Sequence, residues 1–462
     1  MRLRRGAVPV LALAVVLVAG TACATTVPGR ASAITGELAA PVPAPAAVAV
    51  ATGPAGAVTG AITAELQRFW RATFPAAFGR PWRDIAQFVP VPTRDATEPP
   101  PPCVGRAADL DGQAFYCPAA DAVVWDADGL LPDLQRDYGP AGPIVVLSHE
   151  VGHAVQTRLG VDEAQVKDPA RYPTILLEAM ADCDAGVALA NLMQHPVAGL
   201  PFGPAERDAA LAALVGFRDP LGVEANDQSA HGNAFDRVSA FQDGFSGDAN
   251  RCAAMSLDNQ RFTQRHFGSA ADQARKGNLS MPTLLAAVEA DARTWFGSVG
   301  AARSPGWTAP LLRPSPTGAC PKGQLTAQGP ASFCPVDGSV AVDPATLAPV
   351  HDKLGDYADA VLVASRYGLA VLAADGKRTT GSVAGDAATC MAGAYTGRLI
   401  DPNGGFALSP GDLDEAVQVL LADDWAARDA RGDTEADERG YDRVAQFRSG
   451  LLGGPESCFP PA

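Results

Sequence analysis

A chain of 462 residues is long enough for two or three folded domains. Its 36 basic against 51 acidic residues give a formal net charge of −15, and no basic cluster follows the N-terminus, which argues against nucleic acid as a partner. Of its nine cysteines, eight remain once Cys23 is set aside, an even number suited to disulfides in an oxidising compartment.

The opening reads as a processing segment. Met1–Arg5 is short and basic, Ala7–Ala19 is apolar but too short for a dependable membrane span, and small residues at Gly20, Thr21 and Ala22 precede Cys23. Residues 1–23 are expected to be a signal peptide ending at a lipoprotein-type cysteine. Such sites ordinarily carry a larger apolar residue where Gly20 stands, so cleavage nearby without lipidation is the alternative. The expected location is the cell envelope, through a lipid on Cys23 at the outer face of the cytoplasmic membrane, or otherwise the secreted fraction. Residues 24–57 are rich in Ala, Pro, Thr and Gly, lack aromatic residues and predict a disordered tether.

Ile62, Leu66, Phe69, Trp70 and Phe74 then predict an amphipathic helix over residues 58–78. Residues 81–102 are Pro-rich and irregular. Ala114–Cys117 and Ala122–Trp125 are short β-like runs around a Pro-Ala-Ala-Asp turn, the pattern of a hairpin.

The run from Gly142-Pro143 to Leu159 is nearly all apolar, with Gly160 placed to cap it, and predicts a buried helix. Its strongly polar side chains in the middle are His149, Glu150 and His153. Two histidines four apart lie one above the other on a helix face, so both imidazoles can reach one metal ion. Glu150 flanks that face, placed to take a proton from an attacking water. This H-E-x-x-H spacing is the arrangement of zinc peptidases. Buried ionisable groups are costly unless paired or metal-bound, which weighs against a chance grouping in the core.

Residues 161–172 predict a polar loop, and Pro173 starts a second helix through about Met193. Glu178 lies 25 residues past His153, far enough for the chain to turn back antiparallel, and shares a helix face with Asp182. Glu178 is the expected third ligand, and Asp182 the acceptor for the outer nitrogen of a ligating histidine. A further helix is expected near Ala205–Phe217. His231 sits in a Gly/Asn-rich loop before a helix that ends ahead of Cys252. It can serve as an oxyanion donor or as a capping or supporting residue, and the sequence leaves both open.

Together these segments resemble the bacterial putative neutral zinc metallopeptidases. The resemblance is carried by Phe115-Tyr116-Cys117-Pro118, by His149-Glu150-Val151-Gly152-His153-Ala154-Val155-Gln156, by Glu178-Ala179-Met180-Ala181-Asp182-Cys183 with Ala185-Gly186, and by His231-Gly232 through Arg237-Val238. Ala179-Met180 stands where Leu-Gln is more usual. The resemblance implies a zincin-like fold, one zinc held by His149, His153 and Glu178, Glu150 as general base, and peptide-bond hydrolysis. In such folds a strand beside the metal helix aligns a peptide substrate through its backbone.

The second half of the chain repeats the first. Cys103 and Cys117 are 14 apart, as are Cys320 and Cys334; Asp236-Arg237-Val238 before Cys252 answers to Asp442-Arg443-Val444 before Cys458. Gly152-His153-Ala154-Val155 answers to Gly368-Leu369-Ala370-Val371, and Cys183 to Cys390. In that register His149, Glu150, His153, Glu178, Asp182 and His231 become Ser365, Arg366, Leu369, Gly385, Thr389 and Asp437. Framework residues persist while every proposed chemical position differs, so the first set is not needed merely to fold.

The expected architecture is therefore α+β and mainly helical, with a zincin-like domain duplicated in tandem, each copy carrying a short β-hairpin and disulfides. Residues 58–265 form the zinc-binding copy and 266–462 a degenerate one, with the bridges Cys103–Cys117, Cys183–Cys252, Cys320–Cys334 and Cys390–Cys458. The expected activity is that of an exported zinc endopeptidase with one Zn2+, in the first copy, and a peptide or protein substrate. The rival is a non-catalytic zinc-binding envelope scaffold, and a non-peptide amide is a third option for the substrate.

Overall fold

The computed structural model describes residues 54–227, 230–315, 327–400 and 406–459. The signal peptide, Cys23 and nearly all of the tether expected from the sequence lie outside these residues, as does Cys320. Helix α1, Pro54–Phe78, starts four residues before the helix expected there. Ile62, Leu66, Trp70 and Phe74 are buried along its length, as their spacing requires.

The expected hairpin is part of a larger unit. Strands β1 (Gln87–Val91), β2 (Ala114–Cys117) and β3 (Ala122–Asp126) form a mixed sheet in the order β1-β3-β2, with β1 parallel to β3 and β2 antiparallel to it. The Pro-rich stretch hid β1; Pro90 is tolerated because β1 is an edge strand. The strand β2 lies at the other edge.

Helix α2, Leu130–Tyr138, leads into α3, Ala141–Leu159, which ends at Gly160 in the left-handed conformation (φ 81°). No polar loop follows at once: α4, Val161–Lys167, restarts the helix. Helix α5, Thr174–Gln194, runs through the core with nearly every residue buried. Helices α6 (Pro204–Gly216), α7 (Ala234–Ser246) and α8 (Ala249–Ala253) complete the first half; α7 ends ahead of Cys252, as expected, and Cys252 lies in the short α8.

Helix α9 (Ala270–Ala274) and α10 (Met281–Arg303) begin the second half. A second mixed sheet follows, of β4 (Leu312–Pro314), β5 (Ala331–Cys334) and β6 (Ser339–Val342), ordered β4-β6-β5 with the same parallel and antiparallel pairings as the first. Helices α11 (Pro344–Leu354), α12 (Asp356–Ala374), α13 (Ser382–Ile400), α14 (Asp412–Ala422) and α15 (Gly440–Gly453) close the chain.

Among the described residues, bridges join Cys103 to Cys117, Cys183 to Cys252 and Cys390 to Cys458. Closing a loop of 14 residues is worth about 3 kcal/mol in the chain-entropy picture. One apolar core runs through both halves, from Ile62 to Cys458, with a smaller cluster around Val91, Leu110 and Val124 under the first sheet. The halves also meet through polar groups: Asp208 accepts from the N–H groups of Gly440 and Tyr441 at the start of α15 (2.8 and 3.1 Å), and Arg207 pairs with Asp442 at 3.0 Å.

Glycines set the helix spacing. A Cβ on Gly152 would lie 2.8 Å from the Ala181 Cα, and a Cβ on Gly244 would run into the Cys183 carbonyl oxygen, so α3, α5 and α7 approach backbone to backbone. In the second half, Gly368 meets the backbone of Ala388 and Gly450 that of Cys390 in the same way.

Candidate metal centre

Helix α3 carries His149, Glu150 and His153; α5 packs across it at Gly152 and carries Glu178 and Asp182. Three side chains converge between the two helices. His149 Nε2 lies 3.2 Å from His153 Nε2 and 3.2 Å from Glu178 Oε2, and His153 Nε2 lies 3.5 Å from Glu178 Oε1.

Each imidazole is turned by a partner on its far side. The His149 Nδ1–H donates to Asp182 Oδ1 at 2.7 Å, which leaves Nε2 bare toward the centre. Gln156, one turn on from His153, gives its amide N–H to the Leu177 carbonyl (2.6 Å), so its oxygen is the atom that accepts from His153 Nδ1–H at 3.2 Å. Arg237 on α7 closes the shell: its Nε and Nη2 donate to the two Asp182 oxygens, both at 2.9 Å, and its Nη1 to the Phe217 carbonyl at 2.8 Å.

The electrostatics call for a cation. Glu178 is 1% exposed, and beyond the two imidazoles it faces, neither of its oxygens has a hydrogen-bond partner among the described residues. Burial pushes its carboxyl up, but His153, His149 and His231 pull it down to about 2. Burial opposes charge on His149, yet Asp182 and Glu178 outweigh it and hold that imidazole up to about 10.

A zinc ion fits the donor set. Tetrahedral coordination at about 2.0–2.1 Å separates ligand atoms by about 3.3 Å, close to the three edges found. Two imidazole nitrogens and one carboxylate would supply three protein ligands among the described residues, the nearby Asp182 carboxylate being committed to His149 and Arg237.

Glu150 sits beside the triangle, 6% exposed. Burial raises its carboxyl, offset in part by His149 and His153, and the Tyr116 backbone N–H on β2 also donates to it. Arg158 fixes that strand against the end of α3: it bridges to Asp121 at 2.9 Å in the β2–β3 turn, and Asp121 accepts from the Tyr116 hydroxyl at 2.6 Å. The edge of β2 and the metal triangle thus share one cleft of about 320 Å3, lined by Ala114, Val146, Glu150, Phe217 and His231 among others.

The His231 side chain reaches the same cleft. Asp219 accepts from its backbone N–H (2.7 Å) and its Nδ1 (3.2 Å). Burial disfavours the imidazolium, but Asp219 and the charge of Glu178 raise it above the ordinary histidine value. All six residues expected from the sequence are therefore brought to one place. Gln156, Arg237 and Asp219 were not assigned roles there. Of these, only Arg237 had a visible sign, its recurrence as Arg443; Gln156 and Asp219 matter through geometry that a single sequence does not display.

The family described as "Putative neutral zinc metallopeptidase" matches residues 10–255. An uncharacterized protein of Escherichia coli K12, YpfJ, is 32% identical over 154 residues, 30% of this chain and 52% of its own length. Uncharacterized proteins of Mycobacterium tuberculosis, Rv2575, and Mycobacterium bovis, Mb2605, are each 31% identical over 160 residues, 31% of this chain and 55% of theirs. The chain spans about half the length of the curated relatives it matches. No solved structure matches.

Proposed function

The chain belongs to the putative neutral zinc metallopeptidase family, and on that premise we propose that it is an exported zinc endopeptidase whose ligands are His149, His153 and Glu178. The observation that carries this reading is the convergence of two imidazole Nε2 atoms on the oxygens of a buried carboxylate that has no other hydrogen-bond partner among the described residues. A set of three protein ligands, with no fourth among the described residues, favours catalysis over a purely structural site, which ordinarily has four.

Zinc in that triangle would supply Lewis acidity, polarising a scissile carbonyl and acidifying water. The protein does the rest. Glu150, its proton affinity raised by burial, takes the proton of the attacking water and passes it to the departing amine nitrogen. The free edge of β2 aligns the substrate backbone as an added strand. His231, steadied by Asp219, donates to the oxygen on which negative charge grows. Asp182, with Arg237 behind it, keeps His149 in the required tautomer.

The second half is read as a degenerate copy, residues 266–462 after a zinc-binding copy at 58–265. Support comes from the matching strand order, the matching disulfide separations of 69 and 68 residues, and the paired glycine contacts. Where Glu150 would stand, Arg366 is 1% exposed and donates to five oxygens: Ser365 Oγ, Gln328 Oε1 and the carbonyls of Trp425, Ala426 and Arg428. Where Glu178 would stand, a Cβ on Gly385 would strike the Ala427 carbonyl. This lobe is filled by its own chain and acts as support. A lipid on Cys23 would hold the enzyme at the outer face of the membrane, with a peptide or protein as substrate.

The deciding experiment is Glu150→Gln. It should bind one zinc per chain and lose at least 100-fold of peptide-library cleavage relative to wild type, the size of a general-base contribution. Undiminished cleavage by that variant would remove the base from the scheme, and absence of zinc from the wild type would remove the scheme itself.

A further inference from the structure

Helices α12 and α14 begin side by side, and three carboxylates outside the metal centre meet there. Asp356 opens α12, and Asp412 and Glu415 lie in the first turn of α14. One ligand-capable oxygen of each lies within 4.8 Å of the other two, and the three residues are 3%, 3% and 7% exposed.

Each carboxylate is steered by one backbone N–H. Leu279 donates to Asp356 Oδ2 at 2.7 Å, Ser409 to Asp412 Oδ2 at 2.8 Å, and Tyr357 to Glu415 Oε2 at 2.7 Å. The other oxygen of Asp412, Oδ1, is buried with no hydrogen-bond partner among the described residues. Gly355 adopts φ +116°, and a Cβ there would overlap the Glu415 carboxyl group, so only glycine admits that side chain.

Among the described residues no cation pairs directly with the three carboxylates, although Arg275 and His351 act on Asp356 from a distance. Asp272 and Asp359 add further negative charge around it. The cations within range are already engaged, Arg275 with Asp272 at 2.9 Å and His351 with Asp359 at 2.8 Å. A buried group of carboxylates with an unpartnered oxygen is costly unless it binds a cation or stays protonated.

We propose that Asp356, Asp412 and Glu415 form a second divalent-cation site, selective for calcium. The donors are all oxygen, which suits a hard ion and disfavours zinc. Calcium takes six to eight oxygens at about 2.3–2.6 Å in a flexible arrangement, whereas magnesium at about 2.0–2.1 Å demands a near-ideal octahedron. Occupancy ties the loop at Leu279 to the starts of α12 and α14. The start of α14 touches the wall of the cleft: Asp414 pairs at 3.2 Å with Arg218, which lines it, and accepts at 2.7 Å from the Ala234 N–H at the start of α7.

The test uses the full chain, stripped with chelator, reloaded with one equivalent of zinc and titrated with calcium chloride by calorimetry and by thermal melting. Binding in the range of about 0.1–1 mM is expected, as in extracellular calcium modules, with a rise of roughly a few degrees in Tm and a weaker response to magnesium. Asp412→Asn should weaken calcium binding at least tenfold while melting no lower than wild type in chelator, because a neutral amide relieves the repulsion; Glu415→Gln is the second variant. No heat and no Tm shift up to about 10 mM calcium in the wild type, the outcome if the carboxyls simply share protons, overturns the site. So does an undiminished calcium response in both variants.

Discussion

Replacing Asp182 with Asn probes the part of the metal centre that never touches the metal. Asp182 is fully buried and accepts three hydrogen bonds: His149 Nδ1–H at 2.7 Å and two from Arg237 at 2.9 Å. An amide has one accepting oxygen, and its NH2 group would face a donor. Either His149 loses the contact that orients its tautomer, or Arg237 keeps its charge without its counter-ion. Loss of a supporting carboxylate of this kind costs about 10–100-fold in metal affinity, or about 1.4–2.8 kcal/mol. The metal-free protein should also lose about 3–5 kcal/mol of stability, the range for a broken buried pair, reduced where Arg237 retains the Phe217 carbonyl. Competition of the protein with a fluorescent zinc chelator reads the first quantity, and urea unfolding in chelator the second. Zinc affinity within twofold of wild type would show that Asp182 does not orient His149.

Three further outcomes follow from the structure. Gln156→Leu should weaken zinc binding by up to about tenfold, read in the same chelator competition, because the His153 Nδ1–H loses its acceptor; an unchanged constant would mean that packing alone holds the ring. The Asp236 carboxyl is raised to about 7, by burial first, against an unfolded value near 3.9. Its folded state therefore favours the proton: the stability from this group is intact below about pH 4 and lost as pH rises through 7, at up to about 1.4 kcal/mol per unit. Asp236→Asn should flatten that decline in denaturant melts between pH 4 and 8, and parallel curves for variant and wild type would contradict the assignment. Gly244→Ala and Gly450→Ala should each destabilise by at least about 1–3 kcal/mol in thermal unfolding, since a methyl group meets the carbonyl of Cys183 or Cys390 and the helices must part; a neutral result for either would mean that the helices separate freely.

The residues that meet in the candidate site were legible because their spacing follows the helix period. His149 and His153 had to share a face, Glu178 and Asp182 likewise, and an apolar run around polar groups implied burial. The strand β1 was not legible, since its Pro90 and the prolines around it read as irregular chain; its ladder depends on β3, more than thirty residues on. The helix α4 was hidden by polar composition, being a surface helix with no buried residue. Asp219 holds His231 from 12 residues away across a loop, and Gln156 reads from the sequence as one more helix residue; both roles exist only once α3, α5 and the loops have been placed.

On the proposed reading of the second lobe as a degenerate copy, Arg366 makes its divergence hard to reverse. Placing histidines at Ser365 and Leu369 would not make a metal pocket, because a guanidinium tied to five oxygens holds the space and the Ala427 carbonyl lies against Gly385. Burial even lowers the Arg366 side chain to about 9, so its hold rests on donor geometry more than on charge. On that reading, the packing around Arg366 and Gly385 would have to be undone before a metal pocket could form there.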